Sequence, residues 1–261
     1  MLFNIPISPA KVDQLIDVLD LSPPDRVLDV GCGIGEFLLQ TTKQTACRGL
    51  GVDQDATAIS TARSTANKRG LSEDCGFEVK DAQNAQFEPE AFAAAICLGS
   101  PHAFGMGDVA YPDTLRELTR VIKPGGRLLI GEGYWKQDPS SEYLEMIVEP
   151  VGIYRDHSGN VTFAEAEGLI PLYAMTRNDD EWDHFEWSHR RRIEAEFAAN
   201  PDNADLQTRV RHSRAWRDGY LKWGRATMGF GFYIFQKSAR VSSMRCMKLC
   251  FYVEIEFECF A

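Results

Sequence analysis

The sequence predicts an α/β fold, an open and largely parallel sheet with helices on both faces, and three observations predict it. From Val27 to about Glu132, short apolar runs alternate with longer segments of helical period, as βαβ units do. The first of these runs ends in a glycine-rich turn that leads directly into a helical segment. Hydrophobic residues make up 44% of the 261, enough for one substantial core.

Taken in order, the segment MLFNIPISPAKVDQLIDVLDL breaks its apolar residues with Pro6, Pro9, Lys11 and Asp13, unlike a signal peptide. No run of about 18 apolar residues occurs, so no membrane span is expected, and the chain reads as soluble and cytoplasmic. Strands are expected at VLDV from Val27, GLGV from Gly49, FEVK from Phe77, AAAICL from Ala93 and RLLIGE from Arg127. Between the second and third lies a helix that Asp55 caps, with Ala58, Ile59 and Ala62 at helical spacing and Gly70 at its end. A second helix carries Pro112 in its first turn and Leu115, Leu118, Val121 and Ile122 as its stripe. KPGG at Lys123 then reads as a turn into the fifth strand.

Beyond Glu132 the rhythm changes. LIPLYAMT at Leu169 is a further strand candidate, followed by about fifty polar, aromatic-rich residues of helical character and then by GFGFYIF at Gly229. These two strands fit an antiparallel pair at the sheet edge, with the helical excursion lying over the top of the sheet. The expected organisation is one domain over 1–237, containing a helical insert at about 179–227, and a tail over 238–261. In that tail YVEIEFECF could form an extra edge strand or be an appendage.

Seven scattered cysteines form no CxxC pair, so neither a disulfide framework nor a metal site is expected. A formal charge of −10 argues against a phosphate backbone as partner. Two basic runs, His189 to Arg192 and Arg209 to Arg217, interrupt this acidity. Acids interleave with both, so they read as solvated helix faces.

The chemistry concentrates in VLDVGCGIGEF, where Gly31, Gly33 and Gly35 let the backbone approach a ligand and the next helix offers unpaired N–H donors. A dinucleotide fingerprint would place a glycine where Glu36 stands, and a carboxylate there would face a pyrophosphate unfavourably. The D-x-G-x-G-x-G form instead resembles motif I of the class I S-adenosylmethionine-dependent methyltransferases, whose ligand carries no phosphate. GVDQD after the second strand, Asp81-Ala82 after the third, and LTRVIKPGGRLLIGEGYW follow in that family's order. IGEGYW together with EWDHFEW is similar to a group of bacterial small-molecule methyltransferases of mostly unassigned substrate, in which a helical insert precedes the last strand.

The resemblance implies a seven-stranded Rossmann-like sheet and S-adenosylmethionine as cofactor, held by Asp29, Gly31, Cys32, Gly33, Gly35, Asp53, Gln54, Asp81, Ala82 and Leu98. Asp53 would accept from the ribose hydroxyls and Asp81 from the adenine amino group. Base candidates are His102 after the fourth strand and Glu132 at the end of the fifth, although His102 could be an ordinary loop histidine and Glu132 a structural acid. Tyr134, Trp135 and Trp182 are expected to line an acceptor pocket, and Trp216 and Trp223 to anchor the insert. The expected reaction is in-line methyl transfer to a small molecule, without nucleic acid or membrane as partner. A nucleotide-dependent oxidoreductase, a non-catalytic cofactor-binding module and an enzyme acting on RNA or protein are the rival readings.

Overall fold

Seven strands form one sheet: β1 (Arg26–Val30), β2 (Arg48–Asp53), β3 (Cys75–Val79), β4 (Phe92–Leu98), β5 (Ile122–Trp135), β6 (Leu169–Thr176) and β7 (Met228–Lys237), in the order β3-β2-β1-β4-β5-β7-β6. The structure is a computed structural model and describes residues 2–239. β1 to β5 pair in parallel, and β7 runs antiparallel between β5 and β6. The late antiparallel pair expected from the sequence is therefore present, with β6 at the edge. The candidate strand YVEIEFECF lies outside the described residues, as do Cys246, Cys250 and Cys259.

Helices α1 (Pro9–Leu19), α2 (Glu36–Thr45) and α3 (Ala56–Lys68) cover one face, where Val12, Leu15, Leu38 and Ile59 are buried together against Val27, Ile96 and Phe232. Helices α4 (Ala110–Val121) and α6 (His157–Ala166) cover the other, where Leu115, Leu118 and Ala164 meet Leu28, Leu128 and Tyr233. Fully burying each such side chain contributes roughly 1.5–3 kcal/mol. The near-continuous apolar strands follow from this two-sided cover, as in any parallel sheet.

Local chemistry sets the helix ends. The Asp55 carboxylate accepts from Thr57 N and Ala58 N and starts α3 where the sequence placed it. Leu115, Leu118 and Val121 of α4 are fully buried, while Ile122, expected to end that stripe, instead opens β5. KPGG departs from the expectation: Lys123 to Gly126 lie within β5, as an irregularity between the Phe92–Ile122 and Ala94–Arg127 pairs, with Gly125 at φ 78°. The turn signal was real, but β4 pairs on both sides of it and the strand resumes.

Between β5 and β6 lie α5 (Ser141–Ile147) and α6, and between β6 and β7 lie α7 (Asp179–Ala199) and α8 (Ala204–Gly219). A π-helical turn over Tyr220–Gly224 and a last helical turn, α9 (Arg225–Thr227), lead from α8 into β7. A capping box starts α7: the Asn178 side chain accepts from Glu181 N while the Glu181 carboxylate accepts from Asn178 N. Among the described residues no helix is long and apolar enough to cross a membrane.

This topology fixes where a ligand can sit. β1 has β2 on one side and β4 on the other, so the connections leaving β1 and β4 diverge and open a crevice at their carboxyl ends.

Candidate functional site

The crevice is a cavity of about 540 Å³. Its floor is built from the ends of β1 and β4: Asp29, Gly31, Cys32 and Gly33 from one, Leu98, Gly99 and Ser100 from the other. Asp53, Asp55 and Ala58 line its side, and Phe3, Asn4 and Ile5 cover it from the N-terminal segment.

The glycine turn is shaped by three positive φ angles, 69° at Gly31, 53° at Gly33 and 75° at Gly35. Their reasons differ. A Cβ on Gly31 would lie 2.4 Å from Ser100 Cβ, and one on Gly35 2.4 Å from the Phe77 ring, so both glycines serve close packing. A Cβ on Gly33 would meet nothing within 4 Å; this glycine leaves open the space above it. Gly31 N and Cys32 N donate to Val52 O, which stitches the turn to β2. Gly33 N donates to Asp53 Oδ2 at 2.8 Å, and Asp53 Oδ1 accepts from Asp55 N. Asp53 therefore bridges the turn and the start of α3, with carboxylate lone pairs left for a ligand.

Asp29 is buried, and its carboxyl group accepts no hydrogen bond from the described residues. Burial, reinforced by Asp53, pushes its pKa up to about 8. Such a site favours a ligand that brings positive charge and donors, as an amino-acid ammonium does. Glu36 lines the cavity at the start of α2. Its carboxylate pairs bidentately with Arg69 (3.0 and 2.8 Å) and accepts from Gln40, so its charge is already answered. What disfavours a pyrophosphate is the pair of carboxylates beside the turn, Asp53 and Asp55.

Of the other residues expected to bind cofactor, Gln54 is exposed beside Asp53, and Gly35 is buried under Phe77. Asp81 caps a short 3-10 turn, with its oxygens accepting from Gln83 N and the Asn84 amide, and Ala82 is buried behind it. None of these four lines the cavity. Neither do the two expected bases. His102 is exposed on the loop after β4. Glu132 is buried below the sheet's carboxyl edge, where burial pushes its pKa up to about 8 although it accepts from Gly133 N at 2.7 Å.

Trp135 packs edge-on against Tyr143 and Tyr154 and donates to Val151 O. Trp182 is buried between Arg177, 4.2 Å above its ring, and Tyr220, stacked on it at 6.5 Å. Tyr134 lies against His157. None of the three lines the cavity, whereas His189 and Arg192, read from sequence as solvated, do. The signal that could have found them was a basic run in an acidic chain. For Phe3, Asn4 and Ile5 no periodicity or motif gave one.

Residues 27–126 match a family model described as a methyltransferase domain. The chain is 28% identical to the uncharacterized protein YjhP of Escherichia coli (strain K12), over 87% of this chain and 91% of that one. The solved structure of YjhP superimposes with a TM-score of 0.79 at 26% identity, over 91% of this chain and 95% of that one. A SAM-dependent methyltransferase from Geobacter sulfurreducens, solved with S-adenosyl-L-homocysteine, gives a TM-score of 0.81 at 24% identity, over 89% and 92%. The ubiquinone/menaquinone biosynthesis C-methyltransferase UbiE of Bartonella tribocorum is 35% identical, but over only 42% of this chain and 43% of its own.

Two outcomes are expected from this geometry. Gly31→Ala and Gly35→Ala should destabilise the fold, each by about 1–3 kcal/mol or more, through overpacking and a disfavoured positive φ. Gly33→Ala should cost only about 1–2 kcal/mol, yet obstruct the cavity; chemical denaturation read beside ligand titration separates the two classes. The raised carboxyls make a second check. Asp29 and Glu132 hold protons in the folded chain up to about pH 8 that the unfolded chain releases near pH 4. Stability should therefore be greatest at the acid side of that window and fall as pH rises through it, lowering Tm by roughly 5–10 °C before levelling off. Asp29→Asn should remove part of that slope; a Tm that rises monotonically from pH 5 to 8 would contradict it.

Proposed function

This chain is a class I S-adenosylmethionine-dependent methyltransferase, and from that premise we propose that it methylates a small molecule in the cytoplasm, under a cover formed by the helical insert at 179–227. The observation that carries the cofactor side is the turn at Gly31 to Gly35, tied to Asp53 at the mouth of the β1–β4 crevice. S-adenosylmethionine supplies an electrophilic methyl on a sulfonium. The residues present suit it: Asp29 and Asp53 offer acceptors to ammonium and hydroxyl groups, and Gly33 leaves room for close approach.

A small acceptor is supported by the shape of the site and by charge. The cavity lies beneath Phe3, Asn4 and Ile5 and beside α7, an enclosure on the scale of a small molecule. The net charge of −10 disfavours an RNA. UbiE, similar to this chain over part of its length, carries in its name a reaction on quinone biosynthesis, a small-molecule chemistry. Tyr134, Trp135 and Trp182 enter this reading as the aromatic supports of the acceptor side. Trp182, wedged between Arg177 and Tyr220, holds the start of α7 against the carboxyl edge of the sheet.

The chain's own contribution to rate is alignment and exclusion of water, since displacement at a sulfonium discharges the charge that drives it. The insert is tied down for that purpose. Ser8 N and Lys11 Nζ both donate to Glu181, and Asp183 accepts from Tyr220 and from Arg225 through two nitrogens.

S-adenosylhomocysteine should stabilise the purified protein, by about 2.7 kcal/mol at a hundredfold excess over its Kd, while NAD should not. A thermal-shift series in which NAD stabilises and the sulfur ligand does not would overturn the premise. Asp53→Ala should weaken that ligand by about 1.5–3 kcal/mol in titration calorimetry, because the variant loses both the direct acceptor and the tether on Gly33. Asp55→Ala should instead show its main loss in helix stability, about 1 kcal/mol.

A further inference from the structure

The two basic runs of the insert face each other across a groove. α7 and α8 pack side by side, and between them lies a second cavity of about 560 Å³. Its walls are aromatic, from Phe185, Trp187, Trp216 and Tyr220. Trp187 and Trp216 are 43% and 48% exposed, a large apolar surface to leave uncovered. Between the rings stand Arg190, Arg209 and Arg217. Asn4 and His189 line both this groove and the cavity at the glycine turn, so the two adjoin at those two residues.

Each of these arginines has a carboxylate partner, Arg217 pairing with Asp218, but not every donor is answered within the described residues. Glu194 is taken by Arg214 through two nitrogens at 2.9 Å as well as by Arg190 Nη2 at 2.8 Å, and Arg209 pairs with Glu196. Arg190 Nη1 is left buried without a partner. A donor in that state costs about 1–3 kcal/mol, which an acceptor atom on a ligand would recover. The one acid of the lining, Glu186, accepts from Trp216 Nε1 at 2.9 Å, and burial pushes its pKa up. The groove therefore suits a flat, apolar body with an anionic group, and repels an ammonium. His189 stands edge-on to Phe185 at 4.9 Å; burial, with Arg192 close by, holds its pKa below the ordinary histidine value. Its imidazole is thus neutral and able to take a proton.

We propose that the α7–α8 groove is the acceptor site, that it takes a planar aromatic molecule with an anionic group at Arg190 and a weakly acidic hydroxyl at its inner end, and that His189 is the base for that hydroxyl. This rests on the methyltransferase reading above. As the hydroxyl oxygen forms its bond to the methyl carbon, the carbon–sulfur bond breaks with its electron pair passing to sulfur. The hydroxyl proton passes to His189, so the sulfonium charge is exchanged for an imidazolium. His189 here takes the role for which the sequence suggested His102 or Glu132.

The test uses the whole chain saturated with S-adenosylhomocysteine and three naphthalene probes: hydroxynaphthoate, naphthol and naphthylmethylamine. Each is titrated against tryptophan fluorescence. Hydroxynaphthoate should bind at least about tenfold more tightly than the amine, a difference of about 1.4 kcal/mol. Arg190→Gln should erase that preference while S-adenosylhomocysteine affinity stays within about threefold. With S-adenosylmethionine, hydroxynaphthoate should be methylated on oxygen, and His189→Gln should lower kcat by about a hundredfold or more while still binding the probe. Equal or tighter binding of the amine, an unchanged preference in Arg190→Gln, or a self-association that buries Trp187 and Trp216 would overturn the site. A bound probe that the wild type does not methylate, or wild-type kcat in His189→Gln, would overturn the hydroxyl and base assignment. Failure of the wild type to bind S-adenosylhomocysteine would instead remove the methyltransferase reading, leaving the groove's anion preference to be judged by the probes.

Discussion

The tether between Gly33 N and the Asp53 carboxylate is the contact on which the rest of the site depends. A turn with three left-handed residues has little intrinsic preference for one shape. Here the shape is imposed from outside: Val52 O accepts from Gly31 and Cys32, Asp53 accepts from Gly33, and Ser100 fills the volume that any side chain at residue 31 would need. All of these partners lie at the carboxyl ends of β2 and β4, the strands flanking β1. The crevice is consequently a product of the strand order, and the same order that splits the connections also supplies the residues that hold the turn open.

How far the sequence revealed this depended on whether a feature was periodic and local. Strand runs such as AAAICL were legible because burial on both faces demands uninterrupted apolar residues, and Asp55 because a cap is read from a few neighbouring positions. The turn was legible as a motif, with Asp29 and Asp53 beside it. The side formed by the helices between β6 and β7 was not. Trp182 and Trp216 belong to the same stretch, and nothing in their spacing tells that the first is enclosed by Arg177 and Tyr220 while the second opens on a groove. That distinction is made by the packing of α7 on α8 and by the π-helical turn that follows, neither of which has a sequence period of its own.

The basic runs illustrate the same limit in electrostatic terms. Interleaved acids were the ground for reading them as solvated, and several pairs of that kind exist, Arg209 with Glu196 and Arg214 with Glu194 among them. Counting charges along the chain, however, does not show that Glu194 is shared by two arginines, which leaves Arg190 with an unanswered donor. Exposed ion pairs of this sort contribute little to stability, commonly below about 1 kcal/mol. In this insert they lie beside a groove whose walls are largely aromatic.

The two cavities are physically linked. The N-terminal segment contributes Phe3, Asn4 and Ile5 to the cavity at the glycine turn, and Asn4 to the groove as well. A few residues on, Ser8 and Lys11 bind Glu181, the acid that completes the capping box of α7. The start of α7 and the cover of the cofactor side are therefore held by one carboxylate. The lining of the α7–α8 groove comes almost entirely from those two helices, whereas the glycine turn is held by Val52, Asp53 and Ser100, so the two sites rest on separate sets of side chains that meet at Asn4 and His189.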